Sequence, residues 1–118
     1  YRVVRLRYLK DCLYDLEESY FPRAIVPFLS EESVQQSIFT FLRDAYGITG
    51  STTENYVHQV RLTAERAKLV GLPIGDKTMC LDGINYLASG DVFNFSTTYF
   101  VYEDLELYYH TENIDLEN

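Results

Sequence analysis

The clearest alternation of apolar and polar residues lies near the C-terminal end of the chain. Phe93, Phe95, Thr97, Tyr99 and Val101 alternate with Asn94, Ser96 and Thr98, the period of a strand with one buried face. Leu105, Leu107 and Tyr109 alternate with Glu106 and Tyr108, and Glu103-Asp104 separates the two runs as a tight turn or bulge. An antiparallel hairpin or small sheet is therefore expected over 92–109.

Upstream, spacings of three and four dominate. Leu6, Leu9, Leu13, Leu16 and Tyr20 fit a helix over about 4–19. The competing strand reading, Val4, Leu6 and Tyr8 against Arg5 and Arg7, covers fewer residues. Phe21-Pro22 closes this element, because the residue before proline is pushed out of the α region. Ser30 is a good N-cap for the next helix, with Glu31 and Glu32 in its first turn. Val34, Ile38, Phe41, Leu42 and Ala45 share one face, and Gly47 stops the helix. Ser51 and Glu54 form a capping-box pattern that predicts a further helix over 53–70, ended by Gly71. Tyr56, Val57, Val60, Ala64, Ala67 and Val70 make its buried stripe; Asn55, His58, Gln59, Leu62, Glu65 and Arg66 make its exposed side. Two capped helices across a short glycine-containing turn read as a helix-turn-helix unit. For 78–87 two readings stay open: a hairpin turning at Asp82-Gly83, or a short helix starting near Asp82. The fold class expected is α+β, with helices in the N-terminal two thirds and a C-terminal antiparallel hairpin or small sheet.

The chain has 118 residues and a net charge of −8, which suits one domain over 1–118. It starts at Tyr1 rather than Met, which reads as a piece of a longer chain. Residues 91–118 hold seven acids and no Lys or Arg, whereas Arg2, Arg5, Arg7 and Lys10 give a basic start. That asymmetry suggests pairing of the two ends, within one chain or between copies. No apolar run reaches the length of a membrane span. Cys12 and Cys80 lie in no Cys-x-x-Cys pair and no Cys/His cluster, so spacing supplies no zinc ligand set. They read as free buried thiols of an intracellular, cytoplasmic or nuclear protein. No cofactor or catalytic motif is visible: there is no P-loop, no Gly-x-Gly-x-x-Gly and no nucleophile elbow. His58 and His110 each lack a motif, and neighbouring acids such as Glu17-Glu18 do not define a cleft.

Helix, turn, helix is followed by Arg66-Ala67-Lys68-Leu69-Val70-Gly71-Leu72, a loop, and the segment from Met79 to Leu87 containing Leu81 and Gly83. Over 31–90 this order resembles the winged helix-turn-helix superfamily. The resemblance implies a recognition helix presenting Asn55, His58, Gln59, Leu62 and Arg66, and Asn, Gln and Arg are side chains that read base edges. That helix carries a net charge of only +1, little for meeting phosphates. Protein interaction is therefore the favoured reading, with a DNA-binding regulator as the alternative. The expected function is a non-catalytic interaction module of a larger assembly. Its partner is another protein or a second copy, with nucleic acid as the alternative and no membrane. The partner-binding candidates are Tyr99, Tyr102, Glu103, Asp104, Glu106, Tyr108 and Tyr109, an aromatic and acidic set suited to adding a strand or steering a basic partner.

Overall fold

A computed structural model describes residues 1–35 and 37–108. Five strands form one antiparallel sheet: β1 (Arg2–Leu9), β2 (Cys12–Tyr20), β3 (Thr52–Arg61), β4 (Lys77–Tyr86) and β5 (Val92–Phe100), in the order β1-β2-β5-β4-β3. Three short helices accompany it: α1 (Glu31–Gln35), α2 (Ile38–Tyr46) and α3 (Ala64–Val70). The expected helix-dominated N-terminal two thirds is thus corrected to a sheet that begins at the second residue.

The helix expected over 4–19 is the β1–β2 hairpin. Lys10 and Asp11 both take positive φ, 50° and 65°, and turn the chain back on itself. The two flanks then match in charge: Arg5 faces Glu17, Arg7 faces Asp15, and Arg2 reaches Glu18 at 2.7 Å. These cross-strand pairs, absent from any one helix face, override the three-four spacing of the leucines. Two non-glycine residues at positive φ leave room for improvement. The double variant Lys10→Asn, Asp11→Gly supplies the residues a two-residue hairpin favours. It is expected to raise the urea midpoint of unfolding at unchanged m-value, by a stability gain of about 1 kcal/mol.

The supposed recognition helix is also a correction. Its first half is β3, where Thr52, Thr53, Tyr56, Val57 and Val60 bring β-branched and aromatic preference and pair with β4 over ten residues. The true helical cap is Thr63, whose side chain accepts from the Arg66 amide and starts α3. The helix expected from Ser30 to Gly47 exists as two pieces, with Ser37 capping the second and Gly47 ending it at φ 67°. Both readings of 78–87 fail, because β4 runs straight through Asp82-Gly83. Gly83 serves close approach instead: a Cβ there would lie 3.2 Å from Asn55 Oδ1 and 3.4 Å from Ser96 Oγ. β5 is the strand expected over 92–100, but its burial does not alternate: Asn94 and Thr98 are buried beside Phe93 and Tyr99, and Phe95 is exposed. Glu103-Asp104 is a turn, and no strand follows among the described residues to 108. Tyr109 and His110 lie outside the described residues.

The two faces of the sheet carry different helices. On one face, Ala67 and Val70 of α3, with Leu62 just before it, lie over Leu16, Cys80 and Tyr99. On the other, α1 and α2 cover one end of the sheet, where Ile38, Leu42 and Val26 pack on Val3, Phe21 and Phe93. Cys80 is buried as expected, whereas Cys12 is exposed at the hairpin tip, and both are free. No helix among the described residues is long and apolar enough to cross a membrane.

Candidate functional site

The α1–α2 face of the sheet is only partly covered. Alternation along β1, β2 and β5 places Arg5 and Arg7, Glu17 and Ser19, and Asn94 and Ser96 on this face, beyond the edge of α2. Asn85 of β4 joins them opposite Asn94. Together with Phe21, Ser37, Ile38 and Phe39 they line a cavity of about 470 Å³, within the usual range for a small-molecule site.

Its polar groups are held rather than loose. Arg5 donates from Nε to Glu17 Oε1 at 3.0 Å and also from Nη2 to the same oxygen. Arg7 forks onto Asp15, with both hydrogen bonds at 2.8 Å, the bidentate geometry that fixes a guanidinium plane. Asp15 is buried beneath it. Asn85 donates to Asn94 Oδ1 at 2.8 Å, Thr53 donates to Asn85 at 2.7 Å, and Asn94 donates to the Tyr20 carbonyl at 3.3 Å. The N-terminus of α2 opens toward the same cavity, capped by Ser37. Phe39 is half exposed, meets Phe93 edge-on at 5.9 Å, and stands between this cavity and a second of about 370 Å³. Such a lining offers guanidinium donors, a carboxylate acceptor, hydroxyls and amides, with one aromatic wall.

None of the sequence-derived candidates among the described residues lines this cavity. Tyr99 is buried on the opposite face, its ring under the Arg66 guanidinium at 4.8 Å, and desolvation pushes its hydroxyl up to about 12. Tyr102 packs against Tyr14 at 5.5 Å. Glu103, Asp104, Glu106 and Tyr108 are exposed beyond the last strand, and Tyr109 falls outside the described residues. Asn55, His58 and Gln59 sit on β3, on alternating faces, so no recognition helix presents them. Arg66 is on α3, bound to Glu18 at 2.7 Å. The basic start does not wait for the acidic end: Arg2, Arg5 and Arg7 are engaged by Glu18, Glu17 and Asp15 of β2. Asn94, Ser96 and Thr98, whose alternation implied a water-facing side, line or flank the cavity, with Asn94 and Thr98 buried.

The model of the UTRA domain family matches residues 1–106. The chain belongs to the UTRA domain family. A relative described as an uncharacterized HTH-type transcriptional regulator, YydK, from Bacillus subtilis (strain 168), is 32% identical over 103 residues. The match covers 87% of this chain and 44% of that protein, so the chain spans less than half of the relative's length. The crystal structure of YydK superposes with a TM-score of 0.83 at 29% identity, over 93% of this chain and 48% of the other. Two more distant structures share the fold. The ligand-binding domain of a putative GntR-family transcriptional regulator from Bordetella bronchiseptica gives a TM-score of 0.80 at 15% identity, over 95% and 72% of the two chains. The effector binding domain of the B. subtilis trehalose repressor, TreR, gives 0.77 at 17%, over 97% and 79%. The UTRA match over 1–106 and the continuous sheet overturn the winged helix-turn-helix assignment of 31–90. With it go the DNA-reading helix and the interaction-module reading.

Proposed function

We propose that this UTRA domain is the effector-binding part of a transcriptional regulator, and that the effector occupies the cavity beside α2. The observation that carries the reading is the cavity itself: seven polar side chains on the sheet, Arg5, Arg7, Glu17, Ser19, Asn85, Asn94 and Ser96, converge on it beside Phe39. Two solved structures of the same fold, described as ligand-binding and effector binding domains, support it. The ligand class that suits the lining is a small hydroxylated metabolite carrying one anionic group. Its hydroxyls would exchange hydrogen bonds with Asn85, Asn94, Ser19 and Ser96. Its anion would meet the guanidinium edges of Arg5 and Arg7 and the N-terminus of α2, where unpaired amides and the helix dipole favour negative charge. Glu17 and Asp15 balance the two arginines, which suits a ligand of low net charge rather than a polyanion. DNA would be bound by another part of the protein, acting as a homo-oligomer, and effector binding would shift its affinity.

A thermal-shift panel of such metabolites tests this. A ligand at about 100 times its dissociation constant adds about 2.7 kcal/mol of stability, a rise in melting temperature of about 10 °C for a domain of this size. At least one anionic hydroxylated compound is expected to give a rise of this order, and its uncharged analogue much less. A uniformly flat panel would overturn the ligand class.

A further inference from the structure

The opposite face of the sheet carries a cluster that the effector reading does not use. His58 of β3 stands directly across from Cys80 of β4, and Asp82 follows two residues along β4 on the same face. Their ligand atoms all lie within 4.8 Å of one another. His58 Nε2 is 2.7 Å from Asp82 Oδ2, and Cys80 Sγ is 3.9 Å from Asp82 Oδ1. Thr97 of β5 donates to that same Oδ1 at 2.7 Å and fixes the carboxylate, the kind of outer contact that orients metal ligands.

We infer that His58, Cys80 and Asp82 form a binding site for a divalent zinc-like cation that ties the outer strand β3 to β4 and β5. Imidazole, thiolate and carboxylate are the three donor types zinc takes, at about 2.0–2.3 Å. A tetrahedral ion with those bond lengths separates its ligand atoms by roughly 3.3–3.7 Å. The thiol and carboxylate are already close to that spacing. His58 Nε2 now meets the other carboxylate oxygen, Asp82 Oδ2, so the half-exposed imidazole must re-aim from that hydrogen bond toward the ion. The thiol is buried, and desolvation pushes it up to about 12, so binding must release its proton to water as the S–metal bond forms. The nearby Arg66 is held by Glu18 at 2.7 Å, which offsets its repulsion of a cation. Water completes the coordination on the solvent side, beside His58. β3 benefits because it is the sheet's edge, exposed along nearly all its length.

The test is cobalt titration of the full-length protein with Cys12→Ser, which removes the exposed competing thiol. A thiolate-to-cobalt absorption band is expected to saturate at about one ion per chain and to bleach on adding zinc. Cys80→Ser should abolish the band, and His58→Gln should weaken cobalt affinity at least about tenfold. His58 is half exposed on an edge strand, so this second variant carries the test if Cys80→Ser fails to fold. Absence of the band, or a band unchanged in His58→Gln, overturns the site. The cluster lies across the sheet from the effector cavity, so either result leaves the effector reading standing.

Discussion

Replacing Glu18 with alanine is expected to cost the domain about 3 kcal/mol or more. The carboxylate is almost fully buried, yet it accepts from Arg2 Nη2 on β1 and from Arg66 Nε on α3, both at 2.7 Å. It is the buried polar link between the hairpin and the helix on that face. Removing it leaves Arg66 without its carboxylate and opens space under α3, two mechanisms that each destabilise. Burial by itself would push the Glu18 carboxyl up, but the hydrogen bonds from Arg66 and Arg2 prevail and hold it below its ordinary 4.5. A carboxyl lowered in the folded state stabilises above its unfolded pKa, and that stability is lost as pH falls through the folded value. Urea midpoints of the wild type should therefore decline on acidification below about pH 4.5. In Glu18→Gln the start should be lower and the decline shallower, because the lowered group is gone. Equal slopes would show that the link is electrostatically idle.

Arg5→Ala should cut effector affinity by about 30-fold or more, the loss of a charge-assisted contact worth about 2 kcal/mol. Arg5 is the cavity arginine with more of its side chain covered, and both its hydrogen bonds go to Glu17. The fold should persist, because Arg7 Nη2 lies 3.5 Å from Glu17 Oε2 and keeps that buried carboxylate partnered. Arg5→Lys should recover only part of the affinity, since an ammonium keeps the charge and loses the planar fork. A titration of the compound that most stabilises the wild type measures both. Undiminished affinity in Arg5→Ala would place the ligand elsewhere.

These effects explain which parts of the molecule could be read from the chain. β5 was legible as a strand, because Phe93, Phe95, Thr97 and Tyr99 alternate with polar residues and no helical spacing competes, although its burial does not follow that alternation. The N-terminal hairpin was misread because Leu6, Leu9, Leu13 and Leu16 happen to repeat at helical intervals. The discriminating signal was charge: across Lys10-Asp11, Arg5 and Arg7 pair with Glu17 and Asp15 in register, and Arg2 bridges to Glu18. Ser51-x-x-Glu54 has the letters of a capping box, but the Ser51 amide bonds the Tyr86 carbonyl and the chain continues as a strand. Local propensity here yields to pairing with β4, which lies some thirty residues away.

The candidate sites were harder still. Each cavity residue looks ordinary alone. Asn94 and Ser96 gave the same polar alternation a solvated face would give, and only the placement of α2 over part of that face turns it into a cavity wall. Arg5 and Glu17 stand twelve residues apart and meet through strand register. The His58, Cys80 and Asp82 cluster likewise escapes any search by ligand spacing, because one member comes from the neighbouring strand. Conversely, Tyr99 and Arg66 drew attention as surface residues, and Arg66 of α3 lies over the Tyr99 ring.

The central claim is that the cavity beside α2 holds the effector. Amide chemical-shift mapping tests it most directly, using the labelled protein and the compound with the largest thermal shift. The largest perturbations are expected on Arg5, Ser19, Asn94, Ser96 and the Ser37–Phe39 turn, with β3 and α3 nearly unmoved. Perturbations centred on α3 and the opposite face of the sheet, with those cavity residues silent, would contradict it.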